Sequence, residues 1–309
     1  MNNNPGLKNI LRNIQSEILS EIDRIGIHCR VHTRIKDIAS LKGKIERKEK
    51  EGKGYSKDGK KVQDICGIRI TTYFIEDVKL LWDIFERKYE KVSEANDHID
   101  KKNFKVFEPV HKNLVCRMTH EDSITLREVV FSQKDDVYAL IDNTFEIQFR
   151  TTLSEGWHEI DHVLRYKCQS DWDDFIEEER MLNGIYATLE TSDKVLKSLF
   201  DDLSYQHYKK HNWEAMLRTK FRLKFSKEPL DETICTILNN SNDLAKRIFR
   251  TDRAGFLEQI ALSKLHIPIS YNIIVFLLNH TELKNEDIEK LQPATIKSDF
   301  EMYLKTEDI

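Results

Sequence analysis

Two strand-like segments constrain the fold of this chain more than any other feature. In the first, Glu146, Gln148 and Arg150 alternate with three apolar residues. Side chains at every second position of a strand lie on one face. This segment therefore predicts an apolar core face and a second face with a carboxylate, an amide and a guanidinium. The second segment begins at Asp64, which offers another carboxylate for Mg²⁺ and phosphate chemistry. A half-buried strand with a solvated polar face has the same pattern.

Helical and strand-like patterns alternate over the first two thirds of the chain. Apolar residues at helical spacing predict a long first helix, and further helices and strands follow it. The predicted helices cover 7–27, 38–50 and 76–89, and the predicted strands cover 62–74, 105–110, 113–118, 125–131 and 145–151. Helices mixed with several consecutive strands indicate an α+β fold with a mixed sheet flanked by helices.

The pattern becomes almost entirely helical in the later part of the chain. A nearly continuous helical pattern spans 172–208, and another spans 213–304 with breaks near Pro229, Pro268 and Pro293. We therefore predict an α+β domain over 1–208 and an all-α C-terminal module over 209–309. Apolar stripes on helices most often form a core, so a structural brace is the simplest role for this module. A regulatory lid and a partner-docking domain stay open.

Composition limits the class of protein. The chain has 309 residues, and its five cysteines are scattered without a Cys-x-x-Cys pair. This argues against a zinc cluster or a disulfide framework and for a reduced cytoplasmic interior. The formal net charge of −4 argues against a uniformly basic nucleic-acid-binding surface. The longest apolar runs are too short to span a bilayer. We expect a cytoplasmic protein with no membrane segment.

A basic cluster precedes the strand-like segment that begins at Asp64. Lys36, Ser40 and Lys44 recur every four residues, so a helix would place them on one face, with Arg34 just before it. Asp37 is a suitable N-cap for that helix. Cations and a hydroxyl near a helix N-terminus suit a polyphosphate. A solvated basic face gives the same spacing.

Together these motifs resemble the synthetase domain of the RelA/SpoT family. The resemblance covers about residues 30–200 and rests on five motifs in the order and spacing of the family. The motifs are Arg34-x-Lys36 with Ser40 and Lys44, Asp64-x-x-Gly67-x-Arg69, His111, Glu146-Ile-Gln148-x-Arg150-Thr, and Trp157 to Tyr166-Lys167.

The resemblance implies a nucleotidyltransferase-like fold and a pyrophosphokinase. Family members transfer the β,γ-diphosphate of ATP to the ribose 3′-hydroxyl of GDP or GTP, which makes (p)ppGpp-type alarmones and releases AMP. By position, Asp64 and Glu146 would hold Mg²⁺ and act in catalysis, and Glu146 would also accept the proton of the hydroxyl. Arg69 either contacts the nucleotide or braces its strand. The residues implied for ATP are Arg34, Lys36, Ser40, Lys44 and Arg69, and those implied for the acceptor are Phe107, His111, Gln148, Arg150 and Lys167.

The chain departs from the family at the acceptor loop, residues 106–111. Phe107 stands where guanosine-alarmone synthetases have a Tyr that stacks on guanine, and Pro109 stands where they have a Ser. Phe107 is equally a candidate for the core. The departure leaves the acceptor open between a guanine nucleotide, an adenine nucleotide and the 3′ end of tRNA. With tRNA as acceptor, the protein is a toxin that stops translation and needs an antitoxin or another regulatory partner. A homo-oligomer is open as well.

No alarmone hydrolase activity is expected from this sequence. The hydrolase of the family uses a contiguous His-Asp pair in a separate N-terminal helical domain, whereas this chain has the reverse order at 97–98 and 161–162. His158 and His162 have helical spacing without an HExxH arrangement, so we expect packing roles rather than a zinc site. The lysine-rich segment 42–61 is either a solvated loop or a contact for a polyanion such as tRNA. A non-catalytic nucleotide-binding regulator is disfavoured because both metal-binding carboxylates are present.

Overall fold

The computed structural model describes residues 4–92, 112–133 and 135–304 of the chain. Internal contacts divide the chain into two compact units. The first comprises Met1–Leu19 and Cys29–Ser192, and the second comprises Ser20–His28 and Asp193–Ile309. The units divide near residue 192 rather than 208, and a short N-terminal segment groups with the second unit. The assignment of domains at 1–208 and 209–309 stays a prediction.

A four-stranded mixed sheet forms the centre of the first unit, as the sequence predicts. Its strands are β1 (Cys29–Ile35), β2 (Cys66–Thr72), β3 (Lys112–Arg117) and β4 (Thr144–Thr151), in the order β1-β2-β4-β3. The two central strands, β2 and β4, are parallel, and each outer strand is antiparallel to its neighbour.

Helices flank this sheet, which confirms the predicted α+β architecture. They are α2 (Ile38–Lys50), α3 (Ile75–Lys88), α4 (His120–Phe131) and α5 (Thr152–Ile160). Two longer helices, α1 (Pro5–Ile25) and α6 (Ile176–Lys209), each contain one of the points at which the units divide. Between α5 and α6, a π-helical segment (Asp161–Arg165) and a short 3-10 helix (Tyr166–Asp171) continue the chain.

The predicted alternation along β4 is confirmed by burial. Phe145, Ile147 and Phe149 are at most 2% exposed, and they form one face of the sheet. Against Phe149 pack Trp82 and Phe85 of α3, with ring centroids 5.6 and 6.4 Å away. Rigid apolar packing under this face fixes the opposite, polar face of β4, because neighbouring residues of a strand point to opposite sides.

One predicted strand is wrong, one observed strand was not predicted, and one predicted strand lies outside the described residues. The segment 125–131, predicted as a strand, is the second half of helix α4. Thr119 caps this helix by accepting a hydrogen bond from the Asp122 backbone nitrogen, and acidic residues fill its first turn. These features favour a helix despite the β-branched residues that follow. Strand β1 was not predicted, because few of its residues are apolar. The predicted strand 105–110 lies outside the described residues.

The named elements of the second unit are all helices in the part that the structure describes, as predicted, and one isolated β-bridge joins Ile27 to Leu223. Its further helices are α7 (Trp213–Phe221), α8 (Glu232–Asn240), α9 (Asn242–Arg250), α10 (Arg253–Leu262), α11 (Tyr271–Leu278), α12 (Glu286–Leu291) and α13 (Ala294–Tyr303). The three prolines that interrupt the helical pattern each lie between two of these helices. Across the described residues, every helix is too short or too polar to cross a bilayer.

Arg24 ties the short N-terminal segment of this unit to the end of α10. Its guanidinium donates to the carbonyl oxygens of Ile260 at 2.7 Å, Ala261 at 2.7 Å and Ser263 at 2.9 Å. The last carbonyls of a helix lack partners within the helix, so a buried arginine there satisfies several acceptors at once. The side chain is 5% exposed.

We expect Arg24→Ala to lower the free energy of unfolding by about 2–4 kcal/mol, because it leaves several part-buried carbonyl oxygens without this donor. Urea denaturation measures this loss. The exposed Arg250, changed to Ala, is the control and should change stability by less than about 0.5 kcal/mol. Equal effects of the two changes would contradict the bracing role of Arg24.

Candidate active site

A cavity of about 230 Å³ lies over the polar face of the sheet in the first unit. Its walls come from β1, β2, β4 and α5 and from the segments just after β1 and before β2. The lining residues are His32, Thr33, Arg34, Lys36, Asp64, Gly67, Ile68, Arg69, Glu146, Gln148, Glu155 and Glu159. Six residues of the predicted site therefore share one cavity, namely Arg34, Lys36, Asp64, Arg69, Glu146 and Gln148.

Strand register explains why these residues meet. Cross-strand partners lie on the same face of a sheet, and β1, β2 and β4 align two rows of such partners. The rows are Arg34–Gly67–Glu146 and His32–Arg69–Gln148. A Cβ atom at Gly67 would meet only the Arg34 carbonyl oxygen, at 3.7 Å. The glycine therefore leaves the centre of the first row open beside the Glu146 carboxylate.

Two lysines share the Asp64 carboxylate. The ammonium groups of Lys36 and Lys44 both donate to Asp64 Oδ2, the latter at 2.8 Å. Burial alone would raise the pKa of Asp64, but the two ammonium groups lower it below its ordinary value. Burial lowers the pKa of Lys36 despite its contact with Asp64. Asp64 Oδ1 is buried and accepts no hydrogen bond from the described part of the chain.

Two chains of hydrogen bonds converge on Glu146. In one, Arg69 Nε donates to Gln148 Oε1 at 3.1 Å, and Gln148 Nε2 donates to Glu146 Oε2 at 2.8 Å. In the other, Arg150 Nη2 donates to Asn113 Oδ1 at 3.3 Å, and Asn113 Nδ2 donates to Glu146 Oε1 at 3.1 Å. Each arginine holds the oxygen of an amide, so the amide NH₂ must face the carboxylate. The arrangement fixes the orientation of Glu146.

Two carboxylates of α5 also bind the Arg69 guanidinium. Its Nη1 donates to Glu155 and to Glu159. The chain passes directly from β4 into α5, where Thr151 and Ser154 form a reciprocal cap. The sequence analysis missed both glutamates. Their spacing of four residues places them on one helix face, but their contact with Arg69 depends on the pairing of β2 with β4.

Asp64 and Glu146 together suit a magnesium ion. Among the described residues, no group of three or more His, Cys, Asp and Glu side chains converges as a metal site. Mg²⁺ needs no such cage, because it is commonly held by one or two carboxylates together with substrate phosphates and water. The buried Asp64 Oδ1 without a hydrogen-bond donor is an oxygen that such a cation would satisfy. The chemistry of these carboxylates therefore fits the predicted Mg²⁺.

Ser40 and Lys167, two other predicted site residues, do not line the cavity. Lys36 does line it, but it precedes α2 instead of lying on that helix, because the helix begins at Ile38. Ser40 Oγ donates to Asp37 Oδ2 at 2.6 Å, and the Asp37 carboxylate accepts from the Ser40 backbone nitrogen at 2.8 Å, which confirms the predicted N-cap. Lys167 is exposed in the 3-10 helix and does not line the cavity.

Arg150 lies beneath the polar surface rather than in the cavity. It is 7% exposed, and burial lowers its pKa to about 10. Its Nη1 donates to the Phe149 carbonyl oxygen at 2.8 Å. Phe107, Pro109 and His111, which the sequence places in the acceptor loop, lie outside the described residues.

His158 and His162 take part in ring packing. The His158 ring is buried, 5.4 Å from the Trp157 ring and 5.9 Å from the Tyr186 ring. His162 stacks on Tyr166 with centroids 5.9 Å apart. These contacts agree with the packing roles that the sequence predicts for both histidines.

Comparison with known proteins locates the similarity in the first unit. Residues 33–171 match the model of a region found in RelA and SpoT proteins. The GTP pyrophosphokinase YjbM of Bacillus subtilis (strain 168) is 29% identical over 135 residues, which are 43% of this chain and 54% of that protein. The chain thus spans about half the length of this curated relative.

Solved structures with similar folds are more distant. A GTP pyrophosphokinase family protein from Streptococcus pneumoniae has a TM-score of 0.44 and 22% identity, covering 63% of this chain and 90% of that one. The small alarmone synthetase 1 of Bacillus subtilis bound to AMPCPP has a TM-score of 0.42 and 16% identity, covering 63% and 92%.

Proposed function

We propose that the chain is a pyrophosphokinase of the RelA/SpoT family, to which residues 33–171 belong. It transfers the β,γ-diphosphate of ATP to the 3′-hydroxyl of GDP or GTP. The observation that carries the proposal is one cavity in which Asp64 and Glu146 lie beside the cations Arg34 and Lys36. Carboxylates that hold a cation next to positive side chains are what transfer of a phosphate group requires.

The cationic side chains near Asp64 would bind the ATP phosphates. Transfer of a diphosphate depends on positioning and on neutralising charge on phosphate oxygens. Asp64 already holds Lys36 and Lys44 in place. The site is therefore preorganised for the phosphates of ATP that enter together with Mg²⁺. Asp64 and Glu146 would hold Mg²⁺, whose positive charge would help to neutralise the phosphates. Ser40, whose hydroxyl binds Asp37, would order the start of α2 rather than contact ATP.

Glu146 would accept the proton of the attacking hydroxyl. A general base must be held within hydrogen-bond reach of the proton that it removes. The two chains of hydrogen bonds hold both Glu146 oxygens from the protein side. Gln148 and Arg150 were predicted to contact the acceptor, and their bonds favour a different role, the positioning of Glu146. Arg69, at the start of one chain, would brace its strand as well as line the cavity.

The role of Asn113 gives a prediction. Removing its amide in Asn113→Ala takes one donor from Glu146, so we expect kcat to fall about tenfold to a hundredfold while the KM for ATP changes little. Asn113→Asp should lower kcat further, because it keeps the acceptor for Arg150 but puts a second carboxylate against Glu146. Steady-state kinetics of AMP formation measure both. A wild-type kcat in Asn113→Ala would refute the positioning role.

The proposed reaction is tested by its stoichiometry. Purified protein with ATP and Mg²⁺ should release AMP only when GDP or GTP is added, and each AMP should be matched by one acceptor molecule consumed. Chromatographic separation of the nucleotides gives both quantities. AMP formation without an acceptor, or ADP in place of AMP, would exclude the proposed transfer. We also propose that the protein does not hydrolyse the product, so the product should accumulate undiminished after ATP is exhausted.

A second acceptor is supported by the sequence of the acceptor loop. Phe107 and Pro109 replace the Tyr and Ser of guanosine-alarmone synthetases. Transfer to the 3′ end of tRNA keeps the same ATP and Mg²⁺ chemistry and changes only this loop. Such a protein would inhibit translation, so its expression would stop cell growth unless a partner restrained it.

A further inference from the structure

Glu155 presents a buried oxygen that has no hydrogen-bond donor. It lies in the first turn of α5 and lines the cavity. One of its oxygens accepts from Arg69 Nη1, whereas Oε2 is buried and accepts no hydrogen bond from the residues that the structure describes. A buried carboxylate oxygen without a donor is costly, and native proteins rarely keep one. A donor on a bound ligand would remove that cost.

Topology places Glu155 at the opposite end of the cavity from the phosphate-binding cations. Lys36 directly follows β1 and Asp64 precedes β2, and these two chain ends are neighbours because the strands are antiparallel. Glu155 instead follows the far end of β4, which runs parallel to β2. A nucleotide whose phosphates lie beside Lys36 and Asp64 would extend along the strands and bring its base towards Glu155.

We propose that Glu155 selects the donor nucleotide by accepting a hydrogen bond from the exocyclic amino group of adenine at Oε2. This rests on the proposed function, under which the cavity binds ATP. The amino group is the only N–H donor on the adenine base, and guanine carries an oxygen acceptor at the same ring position. An ionised carboxylate accepts hydrogen bonds and donates none, so it favours the amino group and repels the oxygen. Glu155 is thus a specificity residue that contacts the base.

The test compares three triphosphates that share ribose and phosphates. ATP has the amino group, purine riboside triphosphate has hydrogen in its place, and inosine triphosphate has oxygen there. We expect the wild-type protein to favour ATP over purine riboside triphosphate by about tenfold to a hundredfold in kcat/KM, and over inosine triphosphate by more. Glu155→Gln should use ATP no better than purine riboside triphosphate and should gain on inosine triphosphate. Arg69 would hold its amide oxygen, so its NH₂ would face the base.

Glu159→Gln is the matched control. Glu159 also binds Arg69 and lines the cavity, but its side chain is 52% exposed, so water can solvate its carboxylate without a bound ligand. Its change should leave the preference for ATP within about threefold of wild type. Equal use of ATP and purine riboside triphosphate by the wild-type protein would overturn the assignment of Glu155 while leaving diphosphate transfer established.

A binding measurement tests base recognition by Glu155 separately from the proposed diphosphate transfer. Calorimetric titration of the Glu146→Gln protein with each triphosphate and Mg²⁺ needs no turnover. Tighter binding of ATP than of purine riboside triphosphate, lost on adding Glu155→Gln, would support base recognition even if no acceptor were ever modified. Equal affinities in this titration would overturn it.

Discussion

Replacing Glu146 with Gln is expected to lower kcat for diphosphate transfer by at least about a thousandfold and to leave the fold intact. The change removes a proton acceptor, which typically contributes a hundredfold to ten-thousandfold. It also removes one of the two carboxylates that suit Mg²⁺, so the two losses act on the same step.

The same change should cost little stability. The new glutamine side chain would still accept from one of the two amides, but its own NH₂ would face the NH₂ of the other, because Arg69 and Arg150 hold both amide oxygens. We expect a loss of about 1–2 kcal/mol in unfolding free energy. AMP formation and urea denaturation measure the two effects. The exposed Glu128, changed to Gln, should alter neither. Activity above about one tenth of wild type would contradict the catalytic role of Glu146.

Asp64→Asn is expected to have an effect on turnover of similar size. An amide is a poor ligand for Mg²⁺ compared with a carboxylate, and it no longer compensates the charges of Lys36 and Lys44. We therefore expect kcat to fall by at least about a thousandfold, with partial recovery at high Mg²⁺ concentration. Loss of activity that no Mg²⁺ concentration relieves, together with unchanged metal affinity, would contradict a role in metal binding.

The pH dependence of stability also reports on Asp64. Its pKa is lowered in the folded protein by Lys44 and Lys36, so its contribution to stability is complete above the unfolded value near 3.9. The contribution is lost as the pH falls through the lower, folded pKa. Wild type should therefore lose more stability than Asp64→Asn as the pH is lowered from 6 through and below the unfolded pKa. Parallel stability curves over this range would contradict the ion pairs.

Local patterns in the sequence predict the faces of the strands but not their neighbours. The alternation of Glu146, Gln148 and Arg150 with apolar residues is a local property, and burial of β4 follows it. Arg150 belongs to the polar series and is nevertheless buried, and its guanidinium donates to Asn113 of β3. That contact depends on the pairing of β3 with β4, which no local pattern encodes. Asn113 therefore escaped the sequence analysis.

Glu155 was missed for a related reason. Its sequence neighbourhood reads as the first turn of an amphipathic helix, where acidic residues are expected for capping alone. Only the parallel pairing of β2 and β4 brings Arg69 to Glu155. In α4, by contrast, the error was local, because the cap at Thr119 outweighs the β-propensity of the residues that follow.

The most direct test of the central claim follows the γ-phosphate of ATP. ATP labelled at that position is incubated with the protein and Mg²⁺, and GDP, GTP, ADP and deacylated tRNA are offered separately, with Glu146→Gln as the blank. The proposed function predicts label on GDP or GTP, one label for each AMP released, and none in the blank. Label on tRNA alone would keep the diphosphate chemistry and identify a translation toxin. Label that appears only as free phosphate, or equally in the blank, would contradict a pyrophosphokinase built on Glu146.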